Sequence, residues 1–400
     1  MFIAVLVFVL ILGVLVLAHE LGHFVTARRN GVKASEFGFG FPPRIIGIQF
    51  LRKENFKKYT KWRIIWGNKD GDDLNERNDL KDAHQKKMQG GTIYSLNWIP
   101  LGGFVKIKGE DGGSLDEKDS FSTKSAWVRI KILAAGVVMN FILAWFLFSL
   151  GFFIGAPEQI DSSQKDNVNA KIQISEIVSG SPASEMGIRV GDEIAKIQKN
   201  NSGESVYFKN IKDVQDFINN SKGHEMTLNI LRGSEQLTVS GVPRVDAPKN
   251  QGALGVALAE TALVRYPVSE ALIKGLISVW DMTSLIFVGL YGMLIALFSG
   301  HGGAVDVSGP VGIAVLTKEV TGLGLVYVIQ FAAMLSINLG IINALPIPAL
   351  DGGRILFVLI EKIKGSPISA KVEQSFHMVF FALLILLMVV VTYKDIVRFF

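Results

Sequence analysis

FIAVLVFVLILGVLVLAHELGHFVTA, residues 2–27, is an almost unbroken apolar run that carries one cluster of ionisable side chains, His19-Glu20-Leu21-Gly22-His23. About 20 apolar residues in helical form cross a bilayer, so this stretch predicts a first transmembrane helix within residues 1–27. No basic region precedes the apolar core and no small-x-small site follows it, which argues against a cleaved signal peptide. On a helix, His19 and His23 lie one turn apart on the same face. Both imidazoles can therefore reach one zinc ion, and Glu20 beside them can take a proton from metal-bound water. The blander alternative is a pair of packing histidines with a snorkelling glutamate. Ionisable groups near hydrocarbon cost roughly 2.5–3.5 kcal/mol each on insertion scales, so three of them together call for a compensating role.

The rest of the chain fits a membrane setting. Hydrophobic residues make up 49% of the 400 and charged residues 19%, and the mean hydropathy is +0.35, which is too apolar for a soluble protein. The net charge of +5 could suggest nucleic acid, but the basic residues cluster between apolar segments without a nucleic-acid-binding signature. They read as topology signals, and no nucleic-acid partner is expected. There is no cysteine, so a metal must be held by His and carboxylate and no disulfide staples any part of the fold.

Residues 28–127 are polar and basic, with Arg28, Arg29, Lys33, Arg44, Lys57, Lys58, Lys61 and Arg63 close behind the first span, which places this side in the cytoplasm. Within it, Phe37 to Ile48 and Thr92 to Lys108 suggest strands and tight turns, separated by a charged insertion at residues 53–89 that reads as solvated. Residues 128–156 form a second span. Residues 168–246 have soluble-domain texture, with strands at Lys171 to Ile177, Glu225 to Leu231 and Gln236 to Val242 and an amphipathic helix from Ile211 to Asn219. Residues 267–300 are apolar, yet Lys274, Ser278, Asp281 and Ser284 recur on one face, which favours a helix on or partly in the membrane. A third span lies in residues 323–353, broken at Pro346 and Pro348, and a fourth in residues 372–397.

Zinc needs a third protein ligand, and no His or Glu just downstream of His23 supplies one. His84 and His224 lie in polar loops, His301 in a Gly-rich turn, and His377 at the start of the last span, where a capping or interfacial role suits it. Asp351 differs. It closes NALPIPALDGG, residues 343–353, in which two prolines break a membrane helix and glycines let the backbone turn beside the carboxylate. Non-helical backbone at membrane depth is tolerated only where protein or a water-filled cavity surrounds it, which is where a hydrolytic site has to be. A helix N-cap is the competing reading of Asp351.

HELGH from His19, FGFGFPPRI from Phe37, YSLNWIPLGGFVKIKGED from Tyr94, AAGVVMN ending at Asn140, SGPVGIA from Ser308 and NALPIPALDGG from Asn343 together resemble the site-2 protease family of intramembrane zinc metalloproteases, in its bacterial sigma-E-regulating branch. The resemblance implies a polytopic α-helical membrane protein with about four transmembrane helices and a membrane-associated β-hairpin or sheet. It also implies Zn2+ held by His19, His23 and Asp351, with Glu20 as general base. Asn343 is implied to hold substrate or the developing oxyanion, and Gly102, Gly103, Phe104 and Val105 to form the substrate-binding strand. The insert from Ser175 resembles one α/β PDZ-like domain where many relatives have two, and it could filter substrates by size or bind a peptide terminus. The expected partners are transmembrane substrates, such as an anti-sigma factor or remnant signal peptides, and the lipid bilayer of a bacterial cell membrane. The active site is expected toward the cytoplasm and the PDZ-like domain outside it. A catalytically inactive, membrane-anchored PDZ scaffold and a metal transporter are the rival functions.

Overall fold

The computed structural model describes residues 2–53, 59–67, 88–110, 113, 117–159, 170–178, 180–198, 205–206, 208, 210–233, 235–248, 251–299 and 309–399. His84, His301 and most of the charged insertion lie outside these residues. Five helices are long and apolar enough to cross a membrane: α1 (Phe2–Arg29), α2 (Ala126–Ile154), α5 (Val268–Phe298), α7 (Leu325–Ala344) and α9 (Ala370–Phe399). Thus α5 meets the same criterion of length and composition as the four helices expected to span. Two further helices were not anticipated as separate elements. One is α6 (Pro310–Leu323), and the other is α8 (Asp351–Lys364), which follows the double-proline break.

The chain divides into two compact units, the first formed by 1–147, 276–317 and 331–400 and the second by 148–275 and 318–330. In the first unit, α1 leads into β1 (Ala34–Lys53), β2 (Tyr59–Trp66) and β3 (Met88–Ile107), paired in the order β2-β1-β3. Both β1 and β3 fold back on themselves. Residues 36–39 pair with 93–96 on one side and with 103–106 on the other, while 46–49 pair with 93–96 and with 63–66. The segment 103–107 therefore forms one edge of the sheet and β2 the other. The strand at 59–66 falls inside the segment expected to be a solvated insertion. Its core, Trp62-Arg63-Ile64-Ile65-Trp66, alternates in the way a strand requires, a pattern masked by the charged residues around it.

This sheet is inside out by the standard of a soluble protein. Ile48 and Phe50 on β1, Trp62, Ile64 and Trp66 on β2, and Tyr94, Leu96 and Trp98 on β3 are exposed at alternate positions that share one face. The opposite face carries a set of polar contacts beside the buried Ile65 and Ile93. Arg44 donates bidentately to Glu36, at 2.8 and 2.5 Å, Arg63 donates to Gln49, and Asn97 donates to the Gly40 carbonyl. Ala27, Val32, Ile107, Phe121, Ile132, Leu133 and Val358 form one buried cluster, which draws the end of α1, the end of β3, the start of α2 and α8 together.

The second unit holds β4 (Ala156–Gln159), β5 (Lys171–Ile177), α3 (Pro182–Glu185), β6 (Glu193–Gln198), β7 (Ser205–Val206), α4 (Ile211–Asn220), β8 (Met226–Arg232), β9 (Glu235–Gly241) and β10 (Val256–Val264). The strand order is β4-β10-β5-β6-β8-β9, with β7 beside β6. The inward positions of α4, Val214 and Ile218, recur at helical spacing and pack with Ile174, Leu228, Ile230 and Leu254 in one core. Asn210 caps α4 by accepting from the Asp213 amide at 2.8 Å. Beneath the turn after α3, Asp192 accepts two bonds from Arg232 and one from the Arg189 amide, each 2.8 Å, and its side chain is 1% exposed.

Asp192→Ala leaves the Arg232 guanidinium without its buried partner, a loss of roughly 3 kcal/mol. Proteolytic nicking within residues 170–260 of the full-length protein should then begin at a lower temperature than in wild type.

Candidate active site

α1 is almost uniformly apolar, so tertiary packing rather than an amphipathic pattern decides which side of it faces the protein. The glycines settle that. A Cβ at Gly22 would run into the Ala135 carbonyl oxygen of α2, and a Cβ at Gly136 would overlap His23 Nε2. Two side-chain-free positions thus let α1 and α2 approach until the backbone of one meets the imidazoles of the other. His19 and His23 are 7% and 6% exposed, their rings nearly perpendicular at 83°. Glu20 lies half-buried in the same turn.

Asp351 reaches this pair from the first turn of α8. Its Oδ2 stands 3.0 Å from His19 Nε2 and 3.2 Å from His23 Nε2, and the two Nε2 atoms are 3.1 Å apart. The residue at the N-cap position is Leu350, without a side-chain cap bond, so the carboxylate is not spent on capping its own helix. Gly352 and Gly353 make its approach possible, because a Cβ on either would collide with the carbonyls of Ala344, Leu345 or Ile347. Among the described residues, His19, His23 and Asp351 are the group of three that could hold a metal ion.

The chemistry of these atoms fits a cation. His23 Nδ1 sits 2.8 Å from the Ile132 carbonyl oxygen, which can only accept, so the proton is on Nδ1 and the Nε2 lone pair points inward. His19 Nδ1 lies 3.1 Å from the Asn140 amide, whose Oδ1 is buried without a donor. Turning that amide over pairs Nδ1–H with Oδ1 and leaves His19 Nε2 as a second lone pair. No hydrogen bond satisfies Asp351 Oδ2. Three electron-rich atoms facing each other at these separations repel unless a proton or a metal ion lies among them. Tetrahedral zinc with bonds near 2.0–2.1 Å places its ligand atoms about 3.3 Å apart, close to the observed triangle.

Asn140 is fully buried, and its own backbone carbonyl accepts from Ser336 Oγ of α7 at 2.8 Å, so α7 braces the turn of α2 whose amide meets His19. No role was assigned to Asn140 or Gly136 from the sequence. Their signal was an amide four residues after a glycine inside an apolar helix, on one face. Asn343 occupies the last turn of α7, half-buried. Gly102 and Gly103 are buried against α1, where a Cβ would come 3.0 Å from Val16 Cγ1 and 3.5 Å from the Leu17 backbone. The edge segment of β3 therefore runs beside the turn of α1 that precedes His19. After β3, Lys108 pairs with Glu117 and Asp119, and Glu110 pairs with Arg354 of α8. The hydrogen bond from Lys108 holds the Asp119 carboxyl below its usual range.

The family model for peptidase family M50 matches residues 7–64 and 82–387. The chain is 32% identical over 443 residues to the regulator of sigma-W protease RasP of Bacillus subtilis, with 99% of each chain covered. It is 31% identical over 396 residues to a putative zinc metalloprotease of Clostridium acetobutylicum, covering 99% of this chain and 98% of that one. A putative zinc metalloprotease of Staphylococcus aureus is 28% identical over 457 residues, covering 100% and 99%.

Asn140→Ala should weaken zinc binding by about 10–100-fold, the usual effect of removing a partner that orients a metal-bound imidazole. Competition with a chromogenic chelator on purified protein measures it. Gly136→Val should abolish binding outright, because the added side chain occupies the space of the His23 ring.

Proposed function

The chain belongs to peptidase family M50, the site-2 type of zinc metalloproteases, and from that premise we propose that it hydrolyses peptide bonds within or near the transmembrane segments of single-span membrane proteins. The observation that carries this reading is the convergence of His19, His23 and Asp351 beside Glu20 inside an apolar helix. His19 lies ten residues before the end of α1, or about 15 Å along a helix.

A peptide bond in a transmembrane helix is shielded and its backbone groups are paired, so it must be drawn out before it can be cut. The β3 edge at residues 103–107 suits that step. Its outer backbone groups have no strand partner among the described residues, and an extended segment can add there by main-chain hydrogen bonds. Gly102, Gly103, Phe104 and Val105 then align the substrate alongside α1. The outward aromatic face of the same sheet supports its immersion in lipid, since only an apolar solvent favours Trp62, Trp66 and Trp98 pointing out and an ion pair pointing in.

His19, His23 and Asp351 would hold zinc, which when bound would supply Lewis acidity toward the scissile carbonyl. Glu20 is the side chain that would accept a proton from the attacking water and return it to the leaving amine. Asn343 offers an amide to the substrate or the oxyanion. The basic residues behind α1 and between α7 and α9 favour a site toward the cytoplasm, and we read residues 168–246 as extracytoplasmic. That unit we read as PDZ-like: a groove of about 70 Å³ between α4 and β10, lined by Gln215, Ile218, Asn219, Leu254 and Val256, has the strand-beside-helix form that takes an extended peptide terminus. The name of the Bacillus subtilis relative makes an anti-sigma factor one reasonable substrate, and remnant signal peptides are another.

Glu20→Gln should keep the fold and the zinc while cleavage of a membrane-embedded reporter in vesicles falls by about a hundredfold or more. Wild-type turnover by that variant would refute the assignment. Deleting residues 168–246 should erase the preference for pre-trimmed over full-length substrates, and unchanged selectivity would remove the filter role.

A further inference from the structure

The turn that delivers Asp351 is held in an unfavourable backbone state by a residue on the last helix. The Leu350 amide donates to the Ile347 carbonyl at 3.1 Å, closing a four-residue turn with Pro348 second and Ala349 third. Ala349 has φ of +80°. A positive φ at the third position defines a type II turn, a place where glycine is the ordinary occupant. For alanine it is strained and persists only where the surroundings impose it. Flipping the Pro348–Ala349 peptide gives the type I turn, which alanine adopts without strain. The Ala349 N–H reverses direction in that flip.

The surroundings here are one imidazole. His377 Nδ1 accepts the Ala349 N–H at 2.7 Å. An amide can only donate, so Nδ1 carries the lone pair and the proton of the neutral ring sits on Nε2, 3.6 Å from Glu373 Oε1. Phe357 of α8 packs near the ring, with centroids 5.7 Å apart. In the flipped turn the Ala349 N–H would point away from this acceptor and lose its partner, which is unfavourable for a partly buried amide. The hydrogen bond is therefore able to outweigh the strain and select the type II form.

The setting of His377 makes the contact specific. Along residues 371–398 of α9 the one buried side chain is Asp395, which accepts from the Gly309 and Gly312 amides at the start of α6 at 2.9 and 2.7 Å. A largely outward-facing helix thus makes polar contacts with α6 and with the turn two residues before Asp351.

We propose that His377 is a positioning residue for the metal site, holding the Pro348–Ala349 peptide in the orientation that brings the Asp351 carboxylate to His19 and His23. This rests on the reading of those three residues as zinc ligands. The test is zinc retention by purified full-length protein against a graded chelator, with wild type, Asp351→Asn, His377→Ala, His377→Asn and Asp395→Asn compared. His377→Ala is expected to bind zinc about tenfold more weakly or worse. His377→Asn, which restores an acceptor near the place of Nδ1, should recover most of that loss, and Asp395→Asn, which loosens the far end of α9, should retain zinc as wild type does. Loss in Asp351→Asn with full retention in His377→Ala would overturn the proposal while leaving the ligand assignment intact. Equal losses in Asp395→Asn and His377→Ala, or no rescue by His377→Asn, would overturn it as well, because general loosening of α9 would then suffice. Full retention in Asp351→Asn would instead remove the ligand reading itself.

Discussion

Two imidazole nitrogens and a carboxylate oxygen, 3.0–3.2 Å apart and largely shut off from water, repel unless a proton or a metal ion lies between them, and their geometry suits the metal. That constraint organises everything nearby. It explains why α1 and α2 meet at glycines, since any side chain at Gly22 or Gly136 would push the imidazoles away from the carboxylate. It also explains why Asn140 is buried in an apolar helix beside His19 and why the Ile132 carbonyl turns toward His23. Each fixes a ring by its outer nitrogen and leaves the inner one free to bind.

The sheet after α1 answers a different problem, which is how to present an unpaired strand edge next to a site inside a membrane. An open edge facing lipid would leave N–H and C=O groups unsatisfied. The edge at 103–107 instead lies along α1, with Gly102 and Gly103 in contact with Val16 and Leu17, where protein and not hydrocarbon surrounds it. On the function proposed here the apolar face of the sheet would meet lipid, while its Glu36–Arg44 pair is buried.

Much of this was legible in the residues. The HELGH spacing puts His19 and His23 on one helical face whatever the tertiary fold, and the prolines and glycines around Asp351 mark a non-helical turn. The strands at 171–177, 226–232 and 235–241 and the helix at 211–220 follow period-two and period-3.6 patterns that survive in any soluble context. What stayed hidden depends on partners far away in sequence. β2 was obscured because Trp62, Ile64 and Trp66 are brief among charges and acquire meaning only beside β1. Asn140 and Gly136 look like ordinary members of an apolar helix until α1 is laid against them. His377 reads as an interfacial histidine until a strained alanine 28 residues earlier is seen donating to it. The separate start of α8 at Asp351 was also unreadable, because nothing local distinguishes a helix N-cap from the first residue after one.

The central claim is that these three side chains share one metal ion, and X-ray absorption at the zinc edge of the purified, zinc-loaded protein tests it most directly. One zinc per chain should show two imidazole ligands and oxygen neighbours near 2.0–2.1 Å, with the imidazole scattering lost when His19 and His23 are both replaced. A spectrum without imidazole, or one that this double replacement leaves unchanged, would contradict the account.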